Sequence, residues 1–259
     1  STLKNRVTSL GFGTDSYISG AYITNVGEEI GQFYGWVYEG IARTQEDLDN
    51  HATQEGAQIG DCFYKDLSGP EGTPDGKVDA YDQVVLGSGL PKVNFGLSAR
   101  FEYKGFDLSI STFGALNYHV SDDIYNSLNS CYGWGNKAVA ILDANRFSED
   151  GSTYISDVPR TYITNNASLA WNDLFSQRKI QNAAYWKIAN VELGYNFPNE
   201  WFGKYVSDVR LYVSAQNLHT FTGYHGYNVD YAGGTFTPGY NFCSYPTART
   251  FMCGVHFTF

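Results

Sequence analysis

Residues 250–259 read Thr250-Phe251-Met252-Cys253-Gly254-Val255-His256-Phe257-Thr258-Phe259. Phe251, Cys253, Val255, Phe257 and Phe259 are apolar, and the residues between them are mostly small or polar. Side chains along a strand point alternately to opposite faces, so this period of two predicts a strand with one greasy face. Ten residues at about 3.3 Å each, tilted, span the ~25 Å apolar band of an outer-membrane barrel. A strand of a soluble sandwich would alternate in the same way. The rest of the chain has to decide between the two.

The pattern recurs upstream. Val93, Phe95, Leu97, Ala99, Phe101 and Tyr103 alternate with Asn94, Gly96, Ser98, Arg100 and Glu102. After Lys104-Gly105, Phe106, Leu108 and Ile110 alternate with Asp107, Ser109 and Ser111, which predicts a hairpin with a short turn. Val191, Leu193, Tyr195 and Phe197 form a third such set, and Val209, Leu211, Val213 and Ala215 a fourth. Residues 1–9 read as the end of a further strand, and 30–41 as an aromatic, β-like stretch. Thr44, followed by Glu46 and Asp47, offers a cap and early acids for a short helix over 45–53.

Connection lengths favour the barrel. Short links at 104–105 and 198–207 alternate with long ones at 10–91, 117–184 and 219–248. Outer-membrane barrels alternate short periplasmic turns with long extracellular loops in this way. With the C-terminus on the periplasmic side, Phe251, Val255, Phe257 and Phe259 face lipid. Arg100, Glu102, Arg210, Tyr212 and Gln216 point inward. The expected fold class is all-β: strands of a large antiparallel transmembrane β-barrel, with the whole of 1–259 forming one barrel segment. Five strands and a stub cannot close a wide barrel, and an open edge in lipid strands its backbone polar groups. The chain is therefore expected to be one part of a larger barrel; closure by several copies is the alternative.

Composition agrees. Charged residues make up 17% of the chain and aromatics 17%, which is rich in side chains that bury area and unlike a disordered segment. No apolar run approaches the ~18 residues of a membrane helix, and no secretory signal opens the chain. The net charge of −10, without a basic stripe, argues against a nucleic-acid partner. Cys62, Cys131, Cys243 and Cys253 lack metal-site spacing. Cys253 falls on an apolar face, and the other three lie in predicted loops where one disulfide is open. No HExxH, GxSxG or P-loop pattern occurs, and no enzyme is predicted.

Several segments together resemble the C-terminal part of SusC/RagA-type TonB-dependent transporters of the Bacteroidetes outer membrane. They are Gly31-Gln32-Phe33-Tyr34-Gly35 with Glu39-Gly40-Ile41, Tyr64-Lys65-Asp66-Leu67, Asp75-Gly76-Lys77-Val78-Asp79 and Leu90-Pro91-Lys92. Then come the hairpin Phe101 to Ser109, Asn190 to Tyr195, Leu211 to Leu218, and Tyr245-Pro246-Thr247-Ala248-Arg249-Thr250-Phe251. The resemblance implies a plugged barrel of about 22 strands. It further implies an N-terminal plug, a TonB-contacting segment and earlier strands outside these residues. The implied partner is a SusD-like lipoprotein lid that helps to capture oligosaccharides or peptides.

Two groups of residues are candidate sites. In the resembled family the acidic loop is similar to the first half of an EF-hand, so Asp66, Ser68, Asp75, the Lys77 carbonyl, Asp79 and Asp82 would hold a structural Ca²⁺. Pro70 to Pro74 interrupts that spacing, and an acidic turn held by Asx and Gly chemistry is the alternative. Aromatics crowd the predicted outer segments: Tyr132, Trp134, Trp171, Tyr224, Tyr227, Tyr231, Phe236, Tyr240 and Tyr245. They suit stacking on sugar rings, contact with a lid, or simple loop packing. Rival readings are a non-transporting surface receptor or adhesin on a barrel, and a soluble β-sandwich carbohydrate-binding module.

Overall fold

The computed structural model describes residues 1–11, 13–132, 135–142, 146–161, 171–202, 206–230 and 233–259. The elements begin with β1 (Ser16–Ser19), β2 (Tyr22–Asn25), β3 (Gln32–Gly35), β4 (Tyr38–Ile41), α1 (Gln45–Asn50), β5 (Cys62–Tyr64) and β6 (Val84–Ser88). The long hairpin β7 (Val93–Tyr103) and β8 (Phe106–Leu116) follows, then β9 (His119–Asp122), α2 (Asp123–Leu128), α3 (Val139–Leu142) and β10 (Gln181–Asn182). The chain ends with β11 (Tyr185–Asn196), β12 (Asp208–Thr222), β13 (Tyr240–Asn241) and β14 (Thr250–Thr258).

The five long strands form one antiparallel sheet in the order β14-β12-β11-β8-β7. Lys104 and Gly105 both have positive φ, 46° and 89°, as a two-residue turn of the I′ type requires. The register puts each alternating set on a common face. Tyr103, Phe106, Tyr195, Leu211 and Val255 make one cross-strand row, and Phe95, Gly114, Trp186 and Phe221 make another. Trp186 and Phe221 stack at 5.3 Å, and Phe106 meets Tyr195 at 4.6 Å. Between these two aromatic rows lie Leu97, Phe101, Leu193, Val213 and Phe251, all exposed; Leu97 is 65% and Phe251 69% accessible. Phe106 and Gly114 are eight positions apart on β8. At a tilt near 40° the rows stand about 20 Å apart in height, close to the apolar band of a barrel wall.

The ladder breaks once. Between Ile188 and Asn190 the register of β11 shifts against both neighbours. That bulge switches which parity faces which side, so Trp186 joins the apolar face and Lys187 the polar one. The alternation expected from 191–197 therefore stops at the bulge, and the first residues of β11 are not visible as a strand from periodicity.

The long connections hold their own cores. Strands β1, β2, β3 and β6 form a four-stranded sheet, β4 pairs with β5, and β9 pairs with β10 and β13. One buried cluster contains Ala115, Tyr118, Val120, Ala183, Tyr224 and Val229; another contains Cys62, Tyr64 and Val78 under Trp36 and Trp171. Several expectations change here. Of residues 1–9, only the first three run as an extension of the sheet, antiparallel to 92–94 with Leu3 N–H on Lys92 O and Asn94 N–H on Ser1 O, and Val7 pairs instead with Gly27 and Glu28. Residues 10–32 contain the β1–β2 hairpin. The helix ends at Asn50, where His51 turns to extended backbone. All four cysteines are free thiols, so no disulfide joins the loops.

Candidate functional site

The polar face of the sheet carries its chemistry in cross-strand rows. Arg100, Ser109, Glu192, Ser214 and Met252 form one, and Glu102, Asp107, Gly194, Tyr212 and Gly254 the next. Arg210 donates Nε to Asp107 Oδ1 at 3.0 Å and Nη2 to Asp107 Oδ2 at 2.5 Å, a bidentate fork. The same Nη2 reaches Glu192 Oε1 at 2.7 Å, and Asn196 Nδ2 donates to Asp107 at 3.2 Å. The guanidinium crosses from β12 over β11 to β8, which only a bare backbone at Gly194 permits. A Cβ there would lie 2.5 Å from Asp107 Oδ1 and 2.6 Å from Arg210 Nη2. Arg100 pairs with Glu102 at 2.8 Å in the open. The five residues expected to point inward thus share one face, Gln216 lying opposite Asn190. Asp107 and Glu192 belong with them; alternation places them there, but only the register shows that Arg210 joins them.

The loop aromatics separate into two groups. Tyr224 is buried, its hydroxyl donating to Asp122 while burial raises its pKa, and Asn241 donates to that hydroxyl and to the same carboxylate. Trp171 packs on the Tyr64 cluster and donates Nε1 to Glu55 O at 3.0 Å. Tyr132 is half-buried. Tyr227 and Tyr240 are exposed, as are Phe236, Phe242 and Tyr245. Asn228 Nδ2 donates to Tyr245 O at 3.1 Å, tying the 228 and 245 backbones together, and Tyr240 stacks on Phe242. Trp134 and Tyr231 lie outside the described residues.

The acidic loop spends its oxygens on backbone amides. Asp82, fully buried, accepts from Leu67 N (2.6 Å) and Ser68 N (3.0 Å) through one oxygen, and from Asp79 N (2.7 Å) through the other. Asp79 accepts from Tyr81 N, Asp66 from Asp75 N and Gly76 N, and Asp75 from Lys77 N. The Lys77 backbone forms a bridge with Thr53. Among the described residues, no group of three acidic, His or Cys side chains is arranged to hold a metal ion. Burial pushes the Cys62 thiol up to about 12 and Cys131 to about 11, so both stay protonated near neutrality.

A sheet with one exposed apolar face between two aromatic rows, one charged face, and folded loops at one end has the architecture of an outer-membrane barrel wall. No family model matches the chain. In sequence it is similar to TonB-dependent receptor P3 of Formosa agariphila, at 28% identity over 99% of this chain and 26% of that protein. It is also similar to the TonB-dependent receptor SusC of Bacteroides thetaiotaomicron, at 27% identity over 71% of this chain and 17% of that one. In structure it matches the RagAB peptide importer in its closed-closed state, with a TM-score of 0.72, 21% identity, and coverage of 96% of this chain and 25% of the other. Over most of its length the chain is thus similar in sequence to TonB-dependent receptors, SusC among them, and it spans about a quarter of the length of the curated relatives it matches.

Proposed function

We propose that the chain is a wall and loop segment of a TonB-dependent outer-membrane importer that takes up nutrients with a SusD-like lipoprotein. The observation that carries this is the two-faced sheet: an apolar side banded by aromatics for lipid, and an Asp107–Arg210–Glu192 side for a polar lumen. The similarity to receptors of the TonB-dependent class supports it. In this reading the turns at 104–105 and 198–207 lie in the periplasm and the folded loops lie outside. The rest of the protein supplies the plug, the TonB contact and the remaining strands. Tyr227, Tyr240 and Tyr245, all exposed on the loops, suit contact with a lid: rigid, amphipathic rings give contact area at low entropic cost. Captured oligosaccharide or peptide then passes along the charged face.

The test is detergent extraction of outer membranes followed by mass spectrometry of the partners, with uptake assayed in a deletion strain. Recovery with the remaining transporter chain and a lipoprotein, and TonB-dependent loss of uptake on deletion, support the reading. Recovery with the barrel but unchanged uptake points to a surface receptor or adhesin. Release as a water-soluble chain points to a sandwich module.

A further inference from the structure

Between the loop strands β3 and β6 and the β9–β10 pair, next to the end of the β7–β8 hairpin, a recess of about 620 Å³ opens, bordered by Glu28, Glu29, Gln32, Lys92, His119 and Asn182 among others. The β7–β8 ladder extends to Lys92, whose N–H donates to Leu116 O, so its side chain falls on the same face as Asn94. Lys92 Nζ pairs with Oε1 of Glu29. The second carboxylate oxygen of Glu29, Oε2, is buried with no partner, and so is Oε1 of Gln32. Two orphaned acceptors three residues apart, beside one recess, are costly unless something brings donors to them. Two carboxylates, Glu28 and Glu29, against the single ammonium of Lys92 leave one net negative charge on this lining. Among the described residues Glu28 has no cation partner; its carboxylate takes only the Asn25 amide, at 3.3 Å. His119 adds no charge, because burial lowers its pKa and favours the neutral ring.

We propose that this recess recognises a primary ammonium group on the imported solute. An ammonium brings three N–H donors and one positive charge, which answers the unbalanced carboxylate and, once the Glu29 and Gln32 side chains turn toward the recess, their two orphaned oxygens. A peptide amino group and an amino sugar carry the same chemistry. The inference rests on the importer reading, since that reading makes the charged face the solute path.

The test uses the complete transporter complex, purified in detergent, and calorimetric titration with triglycine amide and with glucosamine, each beside its N-acetylated form. The free amine binds more tightly by about tenfold or more, the scale of a charge-assisted hydrogen bond. Glu29→Gln brings the two forms to parity, and Gln32→Glu widens the preference. Preference confined to triglycine amide assigns the site to peptides, and preference confined to glucosamine assigns it to amino sugars. Equal affinity of free and acetylated forms, an unchanged preference in Glu29→Gln, or no binding at millimolar probe overturns the proposal. Uptake is followed in parallel: TonB-dependent uptake that persists with parity of binding rejects this site alone, whereas uptake indifferent to TonB rejects the importer reading.

Discussion

The five-stranded sheet and the loops above it solve the burial problem in opposite ways. The largest fully buried side chains, among them Tyr64, Tyr154, Phe33, Val120, Asn241, Asp61 and Asp82, all lie in the connections. On the sheet, Leu97, Phe101, Leu193, Val213 and Phe257 stand exposed instead. The loops are thus built like a water-soluble domain, with polar groups tied inside. On the proposed reading, the exposed apolar face of the sheet meets a solvent that accepts hydrocarbon. The difference teaches that the wall is stabilised by ladder bonds and by its surroundings, while the loops carry a core of their own.

The largest effect should come from breaking a buried tie in the loops. Asp61 is fully buried and held by Arg160 Nε (3.0 Å) and Nη2 (2.9 Å) and by Asn172 Nδ2 (2.7 Å). Arg160→Ala leaves that carboxylate buried without a counter-charge, held only by the Asn172 amide and the Gln58 N–H (2.9 Å), and should cost about 3–5 kcal/mol locally. Hydrogen exchange should rise across 58–64 and 171–178 while the sheet keeps its protection; exchange rising equally in both regions would erase the distinction.

The second comparison sets the two faces of one strand against each other. Leu97→Arg places a charge on the apolar face and should cost about 2–4 kcal/mol if it sits near the bilayer centre. Ser98→Arg, one residue on and facing the polar side, should cost far less. Denaturant midpoints of the assembled transporter would show the asymmetry, and equal losses would contradict it.

The smallest effect concerns α1. Thr44 accepts from Asp47 N at 3.2 Å, and Asp47 Oδ2 returns to Thr44 N at 2.9 Å, so Thr44→Ala should cost about 1 kcal/mol. The Asp47 carboxyl is held below its usual range, chiefly by the Arg43 backbone N–H. A lowered folded pKa adds stability above the ordinary carboxylate range and loses it as pH falls through the lowered value. Protection factors at 44–50, exchange being referred to the intrinsic rate at each pH, should therefore fall in acid, and a flat profile would remove Asp47 from the cap.

The sheet was legible because alternation is local. Leu97, Leu211 and Phe257 announce their face from neighbours two residues away, and the 104–105 turn announces itself by position. The bulge at Ile188–Asn190 hides the start of β11, because a switch of parity looks like the end of a strand. The loop core was not legible, since its ties join residues about a hundred positions apart, such as Tyr224 to Asp122 and Asn172 to Asp61. The acids of 66–82 could be read as oxygen-rich. That Asp82 spends both oxygens on backbone amides depends on how the loop closes, which spacing does not encode.

The most direct measurement of the two-solvent account uses the native cysteines. Cys62 and Cys131 are buried and protonated, while Cys243 and Cys253 are both exposed on the chain, one in a loop and one on the apolar face. In intact outer membranes a membrane-impermeant maleimide should modify Cys243 and spare Cys253, whereas a lipid-soluble maleimide should reach Cys253. Modification of Cys253 by the impermeant reagent as fast as Cys243 would put the apolar face in water and contradict the account.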